Sequence, residues 1–491
     1  MNSQESQTIY QPEIFLDKNR LQKIKRFLPK LKALYRKYAK THSIPGFAYA
    51  VLVDGIPLAI ECEGYGDILE KKPISPQSIF RLASITKSFT AMAILKLRDE
   101  GYLRLDDFVS LYLPEIKGQK LTVDSPEITV GDLLSHVAGF PEDNAWGDRQ
   151  LEMTDHDLGT LLTKGVHFST VPQTTYEYSN LGYVLLGCLV TKLSGMSCQE
   201  YITKNILEPL EMHSACWDYR KVPPQNLVRG YAWREEEWHE EKLAGDGVFA
   251  PMGGLWASLE DLCKYVGFHQ QAWPCRDEVD NCFIKRSTVR SMHQPRVIGG
   301  PLTVMEGVAG YGYGLRWDQD LNRIKYISHS GGLPGFGCNW VMMPDYGIAV
   351  IFLANVTYAP AFKANIEALH KVLRQIKIAP RMIQPSSVLK TRQTQLLQVL
   401  PAWADSLVDH CFASNFFLDQ DVETWKIQSQ DFFSKIGKVI RIGDVIPENR
   451  LRGEFIIEGS KSSLKVKFTL APDEHALIQS IYITPLASIK T

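Results

Sequence analysis

The run Gly46-Phe47-Ala48-Tyr49-Ala50-Val51-Leu52-Val53-Asp54-Gly55-Ile56 decides how the chain is read. Gly46 to Val53 alternates small and apolar residues, and a second apolar run extends from Ile56 to Glu63. Asp-Gly between two such runs predicts a tight hairpin, because the favoured two-residue turn needs positive φ at its central positions. A matching set lies far downstream. Lys325 to Ser328, Gly337 to Met343 and Ile348 to Ala354 read as strands, and Pro344-Asp345-Tyr346-Gly347 is a turn between the last two. Between the two sets, from Tyr102 to about Leu321, helices and loops prevail with only short strand-like pieces. Strands that open and close the segment predict an α+β domain. Its antiparallel sheet is built from both ends and flanked by helices, with a mostly helical insertion beside it. A cleft is expected where the insertion meets the sheet edge.

Working outward, Asp17 to Lys40 is basic, with Leu21, Ile24, Leu28, Leu31, Leu34 and Tyr35 near a helical period. Pro29 is expected to kink or split this helix. Its lysines fit either an anionic membrane surface or a water-facing side; the break in the face at Pro29 favours the second. Residues 1–16 read as a disordered tail, 17–380 as the main domain, 381–387 as a linker and 388–491 as a small α+β domain. In that last part Val388 to about Asn415 and Glu423 to Ile436 read as helical. Lys438–Ile442, Arg450–Glu458, Ser463–Leu470 and Ala476–Ile483 follow as a four-strand meander, and no catalytic constellation is found there.

The chain of 491 residues is too long for one ordinary domain, and 45% apolar with 22% charged residues describes a soluble globular protein. A net charge of −1 gives no bulk electrostatic reason to bind nucleic acid. Nine cysteines without a Cys-x-x-Cys pair read as reduced thiols. Cys275 and Cys282 with His269 fit no zinc spacing, so neither metal nor cofactor is expected. Met1 to Gln11 lacks a charged start followed by an apolar run, and no stretch of about 18 apolar residues occurs. A cytoplasmic protein without a membrane span is expected, with non-classical secretion as the alternative.

The segment Arg81-Leu82-Ala83-Ser84-Ile85-Thr86-Lys87-Ser88-Phe89-Thr90 reads as a loop entering a helix. Residues three apart share a helix face, so Ser84 and Lys87 can approach each other. A serine hydroxyl becomes a nucleophile when a neighbour accepts its proton, and burial suits a lysine to that task. The N–H groups at a helix start favour a developing oxyanion. The same spacing also fits a serine N-cap followed by a solvated lysine.

Two further stretches offer partners. In Tyr176-Glu177-Tyr178-Ser179-Asn180, Tyr178 is a candidate proton acceptor if cationic neighbours stabilise its phenolate. Asn180 is a candidate to hold the lysine and a substrate carbonyl. A packed tyrosine with Asn180 as helix cap is the plain alternative. His329-Ser330-Gly331-Gly332 ends a strand, and its glycines allow close backbone approach to a ligand. His329 is a candidate to orient substrate or Tyr178. A strand-end turn that needs glycine is again the plain alternative.

Together, Ser-x-x-Lys, Tyr-x-Asn and His-x-Gly in this order resemble the serine β-lactamase and penicillin-binding-protein superfamily. The likeness is to its class C-like branch of D-aminopeptidases, alkaline D-peptidases and β-lactamase-fold esterases. Pro45-Gly46-Phe47-Ala48, Leu134-Ser135-His136-Val137-Ala138-Gly139-Phe140-Pro141, Leu186-Gly187, Pro209-Leu210-Glu211-Met212, Met252-Gly253-Gly254-Leu255 and Tyr311-Gly312-Tyr313-Gly314 extend the likeness over about residues 20 to 376. The resemblance implies Ser84 as acylated nucleophile, Lys87 as proton shuttle and Tyr178 as general base. Asn180 would position Lys87 and the substrate, and the N–H groups of Ser84 and Gly332, beside Gly331, would receive the oxyanion. His329 stands where β-lactamases carry lysine. That favours cleavage of an ester or a small amide or peptide over a true β-lactamase. A catalytically silent scaffold is the remaining alternative. The small C-terminal domain resembles cystatin-like or nuclear-transport-factor-like modules.

Overall fold

Asp54 and Gly55 both take positive φ, +52° and +85°, and the two-residue turn they form pairs Val53 with Ile56. The computed structural model describes residues 10–300, 304–403, 408 and 410–486. Two compact units are resolved by their internal contacts, Asp17–Pro274 with Val279–Pro380, and a second unit built around Arg381 to the C-terminus.

In the larger unit the turn joins β1 (Gly46–Val53) to β2 (Ile56–Asp67), followed by β3 (Lys72–Pro73) and β4 (Ile79–Arg81). The insertion carries the hairpin β5 (Tyr231–Arg234) and β6 (Glu237–Glu240), then β7 (Trp256–Ser258). Next come β8 (Val297–Ile298), β9 (Gly307–Tyr311), β10 (Arg316–Asp320), β11 (Lys325–Leu333), β12 (Phe336–Met343) and β13 (Ile348–Ala354). Among the described residues nine of these form one antiparallel sheet in the order β3-β2-β1-β13-β12-β11-β10-β9-β8. The sheet therefore closes between the two ends of the unit, with Phe47 paired to Ala354 and Val53 to Ile348. The sequence missed β9 and β10. Arg316-Trp317-Asp318-Gln319-Asp320 is too polar to read as a strand, and its partners supply the pattern instead.

β1 and β13 are buried along their whole length because both sheet faces are covered. Phe47, Tyr49, Val51 and Val53 face one core, shared with the helices Arg20–Thr41 and Ala361–Ile376. Ala48, Ala50 and Leu52 face the other, larger core, where the helices Thr86–Asp99, Asn180–Ser194 and Leu259–Gln271 pack. The first helix runs unbroken from Arg20 to Thr41 through Pro29, against expectation. Pro29 lies on the exposed side, where the carbonyl it leaves unpaired is free to bond water, while Ile24, Phe27, Leu31 and Leu34 hold both halves to the sheet.

Inside the insertion β4 pairs with β7, and Leu82 N–H donates to the Leu255 carbonyl at 2.8 Å. Gly187 allows the helix Asn180–Ser194 to lie on Pro251; a Cβ there would fall 2.3 Å from the proline ring. No single helix among the described residues is long and apolar enough to cross a membrane. Cys275, Cys282 and His269 do not come together as a ligand group among those residues; His269 is buried and bonded to His293 instead.

The second unit contains the helices Ser387–Val399 and Val422–Ile436 and a five-stranded sheet among its described residues. The four expected strands are joined by a short fifth, Ile446–Asn449, on the edge of Arg452–Gly459. In Ser463–Leu470 alternate residues are buried, so one face of the sheet is covered. The first helix stops at Val399, short of the expected Asn415, since Pro401 cannot continue it. Residues 404–407 and 409 of that expected helix lie outside the described residues. Residues 10–16 belong to this unit: Ile14 and Met382 exchange backbone hydrogen bonds of 3.0 and 2.8 Å. For those residues the expected tail and linker are replaced by a paired contact, while residues 1–9 lie outside the described residues.

Candidate active site

Ser84 sits in a single turn of 3-10 helix, Ala83–Ile85, between β4 and the helix Thr86–Asp99. The preceding Ala83 has φ +49°, the left-handed region that a residue with a side chain rarely adopts. The turn is clamped on both sides. Leu82 is tied to Leu255, and Gly331 presses from β11 so closely that a Cβ on it would lie 2.0 Å from the Leu82 carbonyl oxygen. β11 pairs with β10 only from Lys325 to Ser328. From His329 onward no strand pairs with its outer edge among the described residues, and Ser330 and Gly332 line a cavity. Gly332, a candidate oxyanion donor, thus lies on the cavity wall beside Ser84.

The helix Thr86–Asp99 is buried all round from Thr86 to Leu95, so its polar side chains must find partners. Ser88 donates to the Ile85 carbonyl at 2.7 Å, and Thr90 donates to the Pro251 carbonyl at 2.7 Å. Lys87 is fully buried. Its Nζ lies 2.6 Å from Asn180 Oδ1, 2.9 Å from the Met252 carbonyl oxygen and 3.1 Å from Ser84 Oγ. Burial pushes its pKa down to about 7, opposed by the nearby carboxylates of Asp148 and Asp143. A neutral amine has two N–H donors and one lone pair. Two carbonyl-type oxygens take the donors, which leaves the lone pair for the serine O–H.

Asn180 is the first residue of its helix, and Ser179 is the cap, accepting from Gly182 N–H at 3.2 Å. Asp143 accepts from the Asn180 and Leu181 N–H groups at 2.6 and 2.9 Å, a carboxylate on a helix N-terminus. The Asn180 amide donates to Asn144 Oδ1 at 3.1 Å, which fixes its oxygen toward Lys87.

Tyr178 and Ser84 line the same cavity, and the Tyr178 ring centre is 4.9 Å from Lys87 Nζ. Burial holds its hydroxyl well above the usual tyrosine pKa, outweighing the lowering influence of nearby Ser84. This burial opposes the phenolate that was the condition for Tyr178 as proton acceptor, and favours the phenol. His136, unassigned from sequence, packs its ring 4.3 Å from that of Tyr178. Its Nδ1 accepts from Ser179 N–H at 3.1 Å and its carbonyl from Glu177 N–H at 2.9 Å, which pins the tyrosine loop.

His329 does not reach Tyr178 through any hydrogen bond among the described residues. Its Nδ1 lies 2.7 Å from its neighbour's carbonyl, Ser330 O, and so carries the proton; Nε2 accepts from Tyr311 O–H at 2.9 Å. Burial and the nearby lysine lower its pKa to about 3, so it is neutral. Ser84, Tyr178, His329 and Gly332 all line one cavity of about 880 Å³, a volume suited to a small ligand. Asn180, Lys87 and Gly331 lie behind its wall. Tyr311, Asp148 and the Met252 carbonyl complete the site and had no assigned role in the sequence. A backbone oxygen carries no residue signature, and Asp148 belongs to no recurring motif.

A family model described as "Beta-lactamase" matches residues 31–374. "Penicillin-binding protein 4*" of Bacillus subtilis is 26% identical over 348 residues, 66% of this chain and 71% of the relative. "Protein flp" of Staphylococcus aureus is 28% identical over 323 residues; the matched segment is 65% of this chain and spans 61% of that relative's length. Among solved structures, the octameric penicillin-binding protein homologue from Pyrococcus abyssi superposes with a TM-score of 0.61 at 22% identity, covering 93% of this chain and all of that one. A penicillin binding protein from Bacillus halodurans gives 0.55 at 24% identity over 68% of this chain and 98% of its own. These likenesses carry the fold, and the family model, which spans the nucleophile turn, the tyrosine loop and the strand of His329, carries the family: the chain belongs to the β-lactamase family of serine β-lactamase and penicillin-binding-protein-like proteins.

Proposed function

We propose that the protein is a serine hydrolase that forms an acyl-enzyme on Ser84 and cleaves an ester or a small amide or peptide bond. Serine hydrolase chemistry in general follows from the family; the reading of the residues rests on the surroundings of Lys87. With two N–H groups committed to Asn180 and Met252, the neutral lysine directs its lone pair at Ser84. Ser84 Oγ attacks the substrate carbonyl carbon as its proton passes to Lys87 Nζ. The oxyanion is received by the N–H groups of Ser84 and Gly332. The proton returns through Lys87 and the Tyr178 hydroxyl to the leaving group, and the ester on Ser84 is then hydrolysed by water along the same path in reverse.

The names of three of the four relatives refer to penicillin binding, and a β-lactam is the second reading. It is disfavoured by His329, which is neutral and engaged with Tyr311, so it offers no cation to a substrate carboxylate. A silent scaffold has no use for a buried lysine that costs several kcal/mol to desolvate. The test is labelling by a fluorophosphonate and turnover of p-nitrophenyl esters and nitrocefin. Ester turnover and labelling that vanish in Ser84→Ala support the reading. Equal behaviour of both proteins ends it.

A further inference from the structure

Beyond the reacting groups, the cavity is lined by the carboxylates of Glu142, Asp148 and Glu177 and by the rings of Tyr176, Tyr311 and Tyr358. Its lining arginine, Arg316, is clasped by Asp318 through contacts of 3.0, 2.8 and 2.9 Å, and His329 is neutral. Asp148 is the unusual member. It is 5% exposed, it makes no ion pair within 4 Å among the described residues, and only Oδ2 is satisfied, by Tyr358 O–H at 2.9 Å. Oδ1 is buried without a hydrogen-bond partner. A carboxylate kept in such a place is costly unless a cation arrives. Tyrosine rings in the wall of the same cavity are the second ingredient of a cation site.

Resting on the hydrolase reading, we propose that the substrate of the Ser84 site carries an ammonium group, seated at Asp148 against the tyrosine rings. The exposed Glu142 and half-buried Glu177 draw it in by their charge. Charge balance links this seat to the chemistry. Asp148 is faced by Lys87, Tyr358, Asp143 and Glu142, and Lys87 by Asp148 and Asp143. Without substrate, the Lys87 ammonium is the cation that acts on Asp148. A substrate ammonium takes over that role, so Lys87 gives up its proton more readily and reaches the form that accepts from Ser84.

The experiment uses p-nitrophenyl esters of one chain length ending in an ammonium, in a neutral isostere or in a carboxylate. The expected kcat/KM for the ammonium ester exceeds that of the neutral ester by roughly 10- to 100-fold, with the carboxylate slowest. The ratio falls toward one in Asp148→Asn and becomes less salt-sensitive in Glu142→Gln with Glu177→Gln. Melting curves report whether each variant is folded, and the wild-type series decides alone if Asp148→Asn is not. Equal rates for ammonium and neutral esters, with Ser84 still labelled, overturn the proposal and leave the hydrolase reading standing. If no ester is turned over and Ser84 is not labelled, the hydrolase reading has failed. Calorimetric titration of butylammonium against butanol then decides the seat, and equal or absent binding overturns it.

Discussion

Lys87 Nζ stands 3.1 Å from Ser84 Oγ while two further oxygens, Asn180 Oδ1 and the Met252 carbonyl, hold it from behind. The lysine works as a proton acceptor only when neutral. With its pKa lowered to about 7, kcat/KM for a neutral ester should rise with pH through that region and fall on the acid side. Lys87→Arg keeps a charge that cannot be shed, and acylation should drop by about 10²- to 10⁴-fold. Stopped-flow release of p-nitrophenol against pH checks both; a flat profile from pH 5 to 8 would assign the proton elsewhere.

Asn180→Leu removes the 2.6 Å acceptor and leaves one lysine N–H without a partner. The cost of an unsatisfied buried donor is about 1–3 kcal/mol, which corresponds to roughly 5- to 150-fold in rate if it falls on the transition state. A loss confined to KM with kcat intact would show that Asn180 serves binding alone.

Two small residues hold the nucleophile turn. Gly331→Ala would push a Cβ against the Leu82 carbonyl, a backbone atom that cannot swing away. Gly332→Ala meets the ring of Tyr358 at 2.8 Å, a half-exposed side chain that can. The first should therefore lower Tm and fluorophosphonate labelling far more than the second. Ala83→Gly should do the reverse for stability. It relieves the positive φ at a gain of up to about 1 kcal/mol, offset by the added freedom of the unfolded chain.

His269 and His293 form a buried pair away from the cavity. Trp273 N–H donates to His293 Nδ1 at 2.9 Å, so His293 Nε2 carries the proton and donates to His269 Nδ1 at 2.8 Å. Burial lowers the His269 pKa from 6.5 to about 3 and that of His293 well below its usual value. Above pH 6.5 both folded and unfolded chains hold these rings neutral. Below it the unfolded chain takes up protons that the folded one refuses, and stability falls toward the folded values by at most about 1.4 kcal/mol per pH unit per ring. His269→Leu should lower Tm at pH 8, because His293 loses its acceptor, yet make the decline from pH 6.5 to 4 shallower. An unchanged slope would remove His269 from the acid response.

What could be read from the sequence was local or carried by motif order. Asp54-Gly55 fixes its hairpin through φ preferences of two residues, and Ser84 to Lys87 places two groups on one helix face. Lys87 is hydrogen-bonded to Ser84 and Asn180, and the Tyr178 ring centre lies 4.9 Å from its Nζ, so residues set apart in the family pattern meet in space. Other features depend on residues far apart in the chain. The Met252 carbonyl reaches Lys87 because β4 pairs with β7, and no property of residue 252 announces that. The condition set for Tyr178, a phenolate held by cationic neighbours, is opposed by burial, which a sequence does not display. Pro29 was misjudged for the converse reason: packing on its flanks overrides a local propensity.

The pairing of Phe47 with Ala354 has a consequence for how the molecule comes into being. β1 is made early, but its neighbour β13 emerges only after the whole insertion, and the Ser84 turn waits for β11 to close over it. Contacts so distant along the chain make folding slow and leave an apolar strand edge bare in the meantime. A product truncated ahead of Ile348 would keep Ser84, Lys87, Tyr178 and Asn180, yet expose the full edge of β1 to its own copies. Such a fragment should accumulate as aggregate rather than as a weak enzyme.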